Sequence, residues 1–362
     1  MIKSVYIHIP FCNKICSYCD FCKIIYNKKW VDDYLIHLEK EIKSKYEGEI
    51  IETIYIGGGT PSSLDMYQLN KLFEIIKIFN KSEIYEFTFE CNLESLTEEK
   101  VELFKVNGVN RISIGIETFN DRLLKYLNRD HSKDIAKYII NLIKKVGISN
   151  INIDLIYAIP GETLEDLNND LEQFLNLDIT HISSYSLIIE PHTNLYIKKQ
   201  ENIDEELDYE MYNLICEKLQ AHGYNHYEIS NFSKEGFESK HNLTYWNNEE
   251  YYGFGMGASG YINGVRYDNS RSLNKYLNGE YVMSEKKLTK KETLENEFIL
   301  GFRKINGINK NNFYKKYKKN ITDIETVKQL IYDEKLIENN EYVYINHDFI
   351  YTSNDILINF ID

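Results

Sequence analysis

Four of the chain's six cysteines fall between Cys12 and Cys22, in the stretch CNKICSYCDFC. Cys12, Cys16 and Cys19 form a C-x3-C-x2-C loop. Thiolates are the usual ligands of iron–sulfur clusters, which normally take four. Three thiolates in one tight loop suit a [4Fe–4S] cube with one iron left without protein sulfur. An incomplete ligand set marks a reactive metal site, whereas closed sets are structural. Cys12, Cys16 and Cys19 are therefore the candidate cluster ligands. The competing arrangement is a structural zinc site on Cys12, Cys16, Cys19 and Cys22. Zinc sites usually pair their cysteines as two separated C-x2-C units, so one continuous loop fits zinc less well. Cys22 is then either an idle small side chain or a thiol sensitive to oxidation.

A second motif is Gly57-Gly58-Gly59-Thr60-Pro61. Glycines let backbone approach a ligand closely and accept unusual torsions. No GK[ST] follows and no G-x-G-x-x-G is present, so the loop is a poor phosphate cradle; its plain alternative is a tight turn. Carboxylates recur beside such segments: Glu90, Glu117 and Asp154. His241 lies among aromatics in HNLTYW, where a lone histidine is more often a hydrogen-bonded core residue than a ligand.

The elements that must position these groups alternate along the first half. Short β-rich runs cover 4–10, 52–58, 84–90, 111–117, 151–157 and 182–188. Helix-period segments cover 30–46, 66–79, 97–108, 133–147 and 164–177, several closed by a glycine. About six β–α units in a row predict parallel strands with crossover helices, as a partial barrel or an open doubly wound sheet. Chemistry in either sits at the C-terminal strand ends. The cysteines follow the first strand and the glycines the second. Glu90 and Glu117 end the third and fourth, and Asp154 lies within the fifth. After about residue 200 the alternation stops. A long helix over 205–223 is expected, then an aromatic and glycine-rich stretch, then two helices and a hairpin at 341–353. The expected division is 1–200 and 201–362, the second part a smaller α+β domain with a winged-helix-like tail.

Hydrophobic residues make up 43% and charged residues 27% of the 362, and the net charge is −14. That suits a soluble globular chain and disfavours a broad nucleic-acid-binding face. No stretch is long and apolar enough to span a membrane. The apolar run in MIKSVYIHIPFC is too short for a signal peptide. The expected location is cytoplasmic, with reduced thiols.

The run YIHIPFCNKICSYCDF resembles the signature of radical S-adenosylmethionine (SAM) enzymes, in the branch holding oxygen-independent coproporphyrinogen III oxidase and the haem chaperone HemW. The likeness continues in order through IYIGGGTPSSL, FTFECN, RISIGIETFNDRLLKYLNRDHS, NIDLIYAIPGET, YEISNF, HNLTYW and LGFRKINGI. It implies a partial (β/α)6 TIM-like barrel carrying a [4Fe–4S] cluster on Cys12, Cys16 and Cys19. SAM would sit on the open iron, where one electron cleaves it to a 5′-deoxyadenosyl radical. Gly58, Gly59 and Thr60 match the contacts to its methionine end. Glu90, Arg129 and Asp154 match further cofactor contacts, and Tyr6 and Tyr18 match positions flanking it. Glu117 departs from the pattern, since relatives usually carry Gln there; an ionised Glu only accepts hydrogen bonds. HNLTYW is similar to the haem-associated HNxxYW, which makes His241 a candidate axial haem ligand under Tyr245 and Trp246. The oxidase branch has a fourth cysteine where Phe21 stands and a long segment before the cluster motif, whereas Cys12 comes early here. The resemblance therefore favours a haem chaperone serving haem-acceptor proteins, with an electron donor and possible homodimerisation. The alternative is an oxidase that decarboxylates coproporphyrinogen III.

Overall fold

The computed structural model describes residues 2–361. Six parallel strands lie side by side in chain order: β1 (Ser4–Ile9), β2 (Ile50–Gly58), β3 (Asn80–Asn92), β4 (Arg111–Glu117), β5 (Asn150–Tyr157) and β6 (His181–Ser186). Three later strands extend this sheet: β7 (Asn225–Glu228), β8 (Asn231–Ser233) and β9 (Tyr252–Phe254). The full order is β9-β1-β2-β3-β4-β5-β6-β8-β7, with β9 parallel to β1 and β8 antiparallel to β6. The sheet is a partial barrel, one of the two arrangements the β–α alternation allows and the one the resemblance implies.

Strand sequences alternate although both faces are covered. Ile112, Ile114 and Ile116 of β4 are fully buried under the helices. The intervening Arg111, Ser113, Gly115 and Glu117 line the lumen. Tyr55, Glu90, Asn152, Asp154, Ser183 and Tyr185 face the same way from β2, β3, β5 and β6. The lumen is thus polar and the outer layer apolar, which produces the period of two.

The covering helices are α1 (Lys28–Lys45), α2 (Met66–Ile76), α3 (Glu98–Val106), α4 (Asp121–Leu127), α5 (Lys133–Lys145) and α6 (Leu164–Leu175). Asn27, Asp65, Thr97, Ser132 and Thr163 each cap a helix start by accepting a backbone N–H. The predicted α1 stripe of Val31, Tyr34, Leu35, Leu38 and Ile42 is buried. The seven-residue α4, about two turns long, is too short for a periodic signal.

The expected break at 200/201 does not coincide with a break in packing. Helix α7 (Glu205–Ala221) buries Met211, Ile215 and Leu219 in the barrel's own core, which extends to Tyr276. Helix α8 (Lys240–Trp246) contributes the buried His241, bonded to Thr53 of β2. Fully buried Glu41 of α1 accepts from Gly255 N (2.9 Å), Asn269 Nδ2 (2.7 Å) and Tyr276 Oη (2.7 Å). A separate core runs from Phe298 to Phe360. We propose that the domain division lies near residue 289. In the tail, Tyr342–Ile345 pairs with Leu336–Glu338 and Ile308–Asn309. The expected 341–353 hairpin is not formed: Asn346 caps a short turn, His347–Phe349, and Ile350, Ile356 and Leu357 pack into the tail core.

Candidate functional site

A cavity of about 390 Å³ opens at the C-terminal ends of the strands and runs down the lumen. Cys12, Cys16 and Cys19 all line it. Backbone bonds hold their loop on both sides. Tyr26 N donates to Cys12 O (2.9 Å) and Thr60 N to Phe11 O (2.9 Å). Asn128 Nδ2 donates to Ile15 O (2.7 Å) and Ser17 N to Leu127 O (3.1 Å), which explains why the NRDH turn belongs to the site.

Cys22 faces elsewhere, into a recess with Tyr6, His8, Tyr251 and Arg271. Three of the four loop thiols therefore line the lumen, together with the buried Cys91 of β3. Among the described residues, no three Cys, His, Asp or Glu side chains converge on one point as ligands of a single ion would. Burial raises the thiols of Cys16 and Cys19 and pushes Cys12 to about 11. Bare thiolates are disfavoured here, and a metal would supply the missing positive charge.

The three glycines are required by close packing. A Cβ on Gly57 would stand 2.7 Å from the Glu90 carboxylate, and one on Gly59 2.9 Å from Cys12 Sγ. Gly58 has φ +121 and donates to Glu90 Oε2 at 2.9 Å. Gly58, Gly59 and Thr60 line the cavity, and Thr60 Oγ1 reaches Cys12 Sγ at 3.5 Å.

Three carboxylates descend into the lumen. Glu90 also accepts from Tyr55 Oη (2.7 Å), and burial raises its carboxyl. Asp154 accepts from Asn152 Nδ2 (2.8 Å); burial first, then nearby Glu90, pushes it up to about 6. Glu117 sits at φ 64 with 5% exposure, accepts from Tyr18 Oη (2.8 Å), and pairs with Arg129 Nε at 3.4 Å. Arg129 further donates to Gly115 O (2.6 Å) and reaches Cys16 Sγ (3.7 Å). Burial lifts Glu117 even with Arg129 beside it.

The cavity thus gathers Cys12, Cys16, Cys19, Tyr18, Gly58, Gly59, Thr60, Glu90, Glu117, Arg129 and Asp154. Two expected residues lie outside it. Tyr6 turns its hydroxyl to His8 Nδ1 (2.9 Å) behind the cysteine loop. His241 lies below the lumen, with Nδ1 bonded to Thr53 Oγ1 (2.8 Å) and Nε2 to Tyr245 Oη (2.7 Å). It is 1% exposed and burial lowers it to about 3. Both ring nitrogens of His241 are thus engaged inside the core, outside the cavity. The lumen also holds Tyr55, Arg111, Ser113, Asn152 and Ser183, which the sequence reading missed. The polar positions of otherwise apolar strands were the available signal.

Residues 6–174 match the model of the radical SAM superfamily. The chain is 42% identical to the heme chaperone HemW of Lactococcus lactis subsp. lactis (strain IL1403), over 93% of this chain and 91% of that one. It belongs to the HemW family of radical SAM proteins. HemW of Bacillus subtilis (strain 168) is 41% identical over 96% of each chain. The Escherichia coli coproporphyrinogen III oxidase HemN, titled a radical SAM enzyme, superposes with a TM-score of 0.87 over 99% of this chain and 90% of that chain. At 19% identity it shows a shared fold. Membership of the HemW family implies a [4Fe–4S] cluster and SAM.

Proposed function

We propose that the protein is a haem chaperone that binds haem and passes it to acceptor proteins in the cytoplasm. The observation that carries this reading is the likeness to heme chaperones along 93% of the chain. The decarboxylating oxidase has only a shared fold in its favour.

In this reading Cys12, Cys16 and Cys19 hold the cluster and leave one iron open. When bound, cluster and SAM supply one-electron chemistry, fed by an electron donor. The chain's own residues orient and shield them. Arg129 offers its fork to a carboxylate, which suits the amino-acid end of the cofactor. Glu90 and Asp154 accept hydrogen bonds from ribose hydroxyls or an ammonium group. Gly58, Gly59 and Thr60 let backbone close on the methionine end, and Tyr18 and Glu117 hold Arg129 in place.

A cavity of about 390 Å³ suits one ligand at the small end of the usual range. The rim carries Phe21, Tyr185 and Ile188, which are 65%, 44% and 61% exposed although apolar or aromatic. This rim is where haem would lie against the protein.

The test is anaerobic haem titration of the cluster-loaded protein, followed by transfer to an apo-haemoprotein. A parallel reaction supplies dithionite, SAM and coproporphyrinogen III. Haem uptake and transfer without decarboxylated product is the expected result. Catalytic product formation, or no haem uptake, would overturn the proposal.

A further inference from the structure

Arg111 is 2% exposed, yet it lines the lumen. Its Nε has no hydrogen-bond partner, and among the described residues neither Glu90 nor Asp154 is ion-paired with it. A buried guanidinium without a direct partner is costly, and structures keep one only where other charge offsets it. The register shows where that charge lies. Arg111 opposes Thr88, and Ser113, two residues nearer the mouth, opposes Glu90. Asp154 stands beside Gly115 on the other neighbour. Two residues of strand span about 7 Å. Arg111 therefore lies one layer below Glu90 and two layers, about 13 Å along the strand, below Asp154.

We propose that Arg111 is a positioning residue for SAM, the shared counter-charge that keeps Glu90 and Asp154 ionised to receive the cofactor. The inference rests on the cofactor contacts proposed above for those two carboxylates.

The groups around Arg111 decide what titrates. Tyr55 on β2 and Tyr227 on β7 are half-buried, and their hydroxyls are held well above their ordinary range. Tyr185 on β6 is raised likewise. His181 on β6 is pushed well down by burial and then by Arg111. It bonds Asn152 Oδ1 (2.6 Å) and Tyr227 Oη (2.8 Å) as a neutral ring. His241 on α8 is neutral for the same reason. Glu228 on β7, next to Tyr227, is also pushed up by burial, to about 7, and accepts from Asn231. Of the carboxylates that line the lumen with Arg111, burial raises Glu90 and Asp154. Arg111 is the cation that opposes burial at both.

The experiment is SAM affinity by anaerobic equilibrium dialysis of the cluster-loaded protein from pH 5 to 9, with iron content measured in parallel. Affinity falls as pH drops through the carboxylates' range, so wild type should weaken only toward pH 6 and below. Arg111→Gln should move that break upward. Affinity at pH 7 then falls about threefold to tenfold and recovers by pH 9, since one unit of pKa is a factor of about ten. Arg111→Lys keeps the charge but shortens its reach, and should give a smaller upward move. A loss equal at every pH, or an unmoved break in whichever variant folds, would overturn the inference while leaving the cofactor contacts standing. Wild type that binds no SAM at any pH would overturn both.

Discussion

Replacing Arg129 with Met tests the electrostatics of the barrel mouth. Arg129 and Glu117 have side chains 3% and 6% exposed and lie 3.4 Å apart. Removing the guanidinium leaves Glu117 buried with Tyr18 Oη as its remaining hydrogen-bond donor. The cheapest response is for the carboxyl to take up a proton. From an ordinary value of 4.5, protonation at pH 7 costs at most about 3.4 kcal/mol, at 1.36 kcal/mol per unit. Burial already lifts Glu117 in the wild type, so the expected loss is about 2–3 kcal/mol at pH 7. About 1 kcal/mol more follows from the lost bond to Gly115 O and does not depend on pH. In the variant the folded-state pKa lies further above the unfolded value. Its penalty is therefore present at high pH and disappears as pH falls toward the unfolded value. Urea unfolding of cluster-free wild type and Arg129→Met at pH 7.0 and 5.5 measures this directly. The destabilisation should shrink by about 1–2 kcal/mol at the lower pH. An equal loss at both values would refute the argument and leave only lost packing.

Two further outcomes follow from the site. Cys12→Ser, Cys16→Ser or Cys19→Ser should abolish iron–sulfur absorbance after anaerobic reconstitution, while Cys22→Ser keeps it. A loss with Cys22→Ser equal to the others would show that the ligand set is wrong. His241→Ala should cost about 2–4 kcal/mol in unfolding by orphaning Thr53 and Tyr245, yet leave haem affinity unchanged. A clear fall in haem affinity in a folded variant would restore the histidine as a ligand.

The chain order of β–α units, the three-cysteine loop and the glycine turn were all legible in the sequence, because each depends on local spacing. Strand period, helix stripe and loop length are set by neighbouring residues alone. Tertiary structure decided which polar residues face which space. Cys22 and Cys19 are three residues apart, yet one turns behind the loop and the other into the lumen. His241 stands in a motif that suggests a ligand, but pairing with Thr53, 188 residues earlier, seals it in the core. Arg111 reads as the ordinary start of a strand, and only barrel curvature sets it beneath Glu90 and Asp154. The domain division proposed near residue 289, in place of 200/201, has the same origin. Strands 225–254 carry no β–α rhythm, but their hydrogen bonds are satisfied only at the edges of the first sheet. Contacts between distant segments leave no period in the chain, so such decisions belong to the folded state.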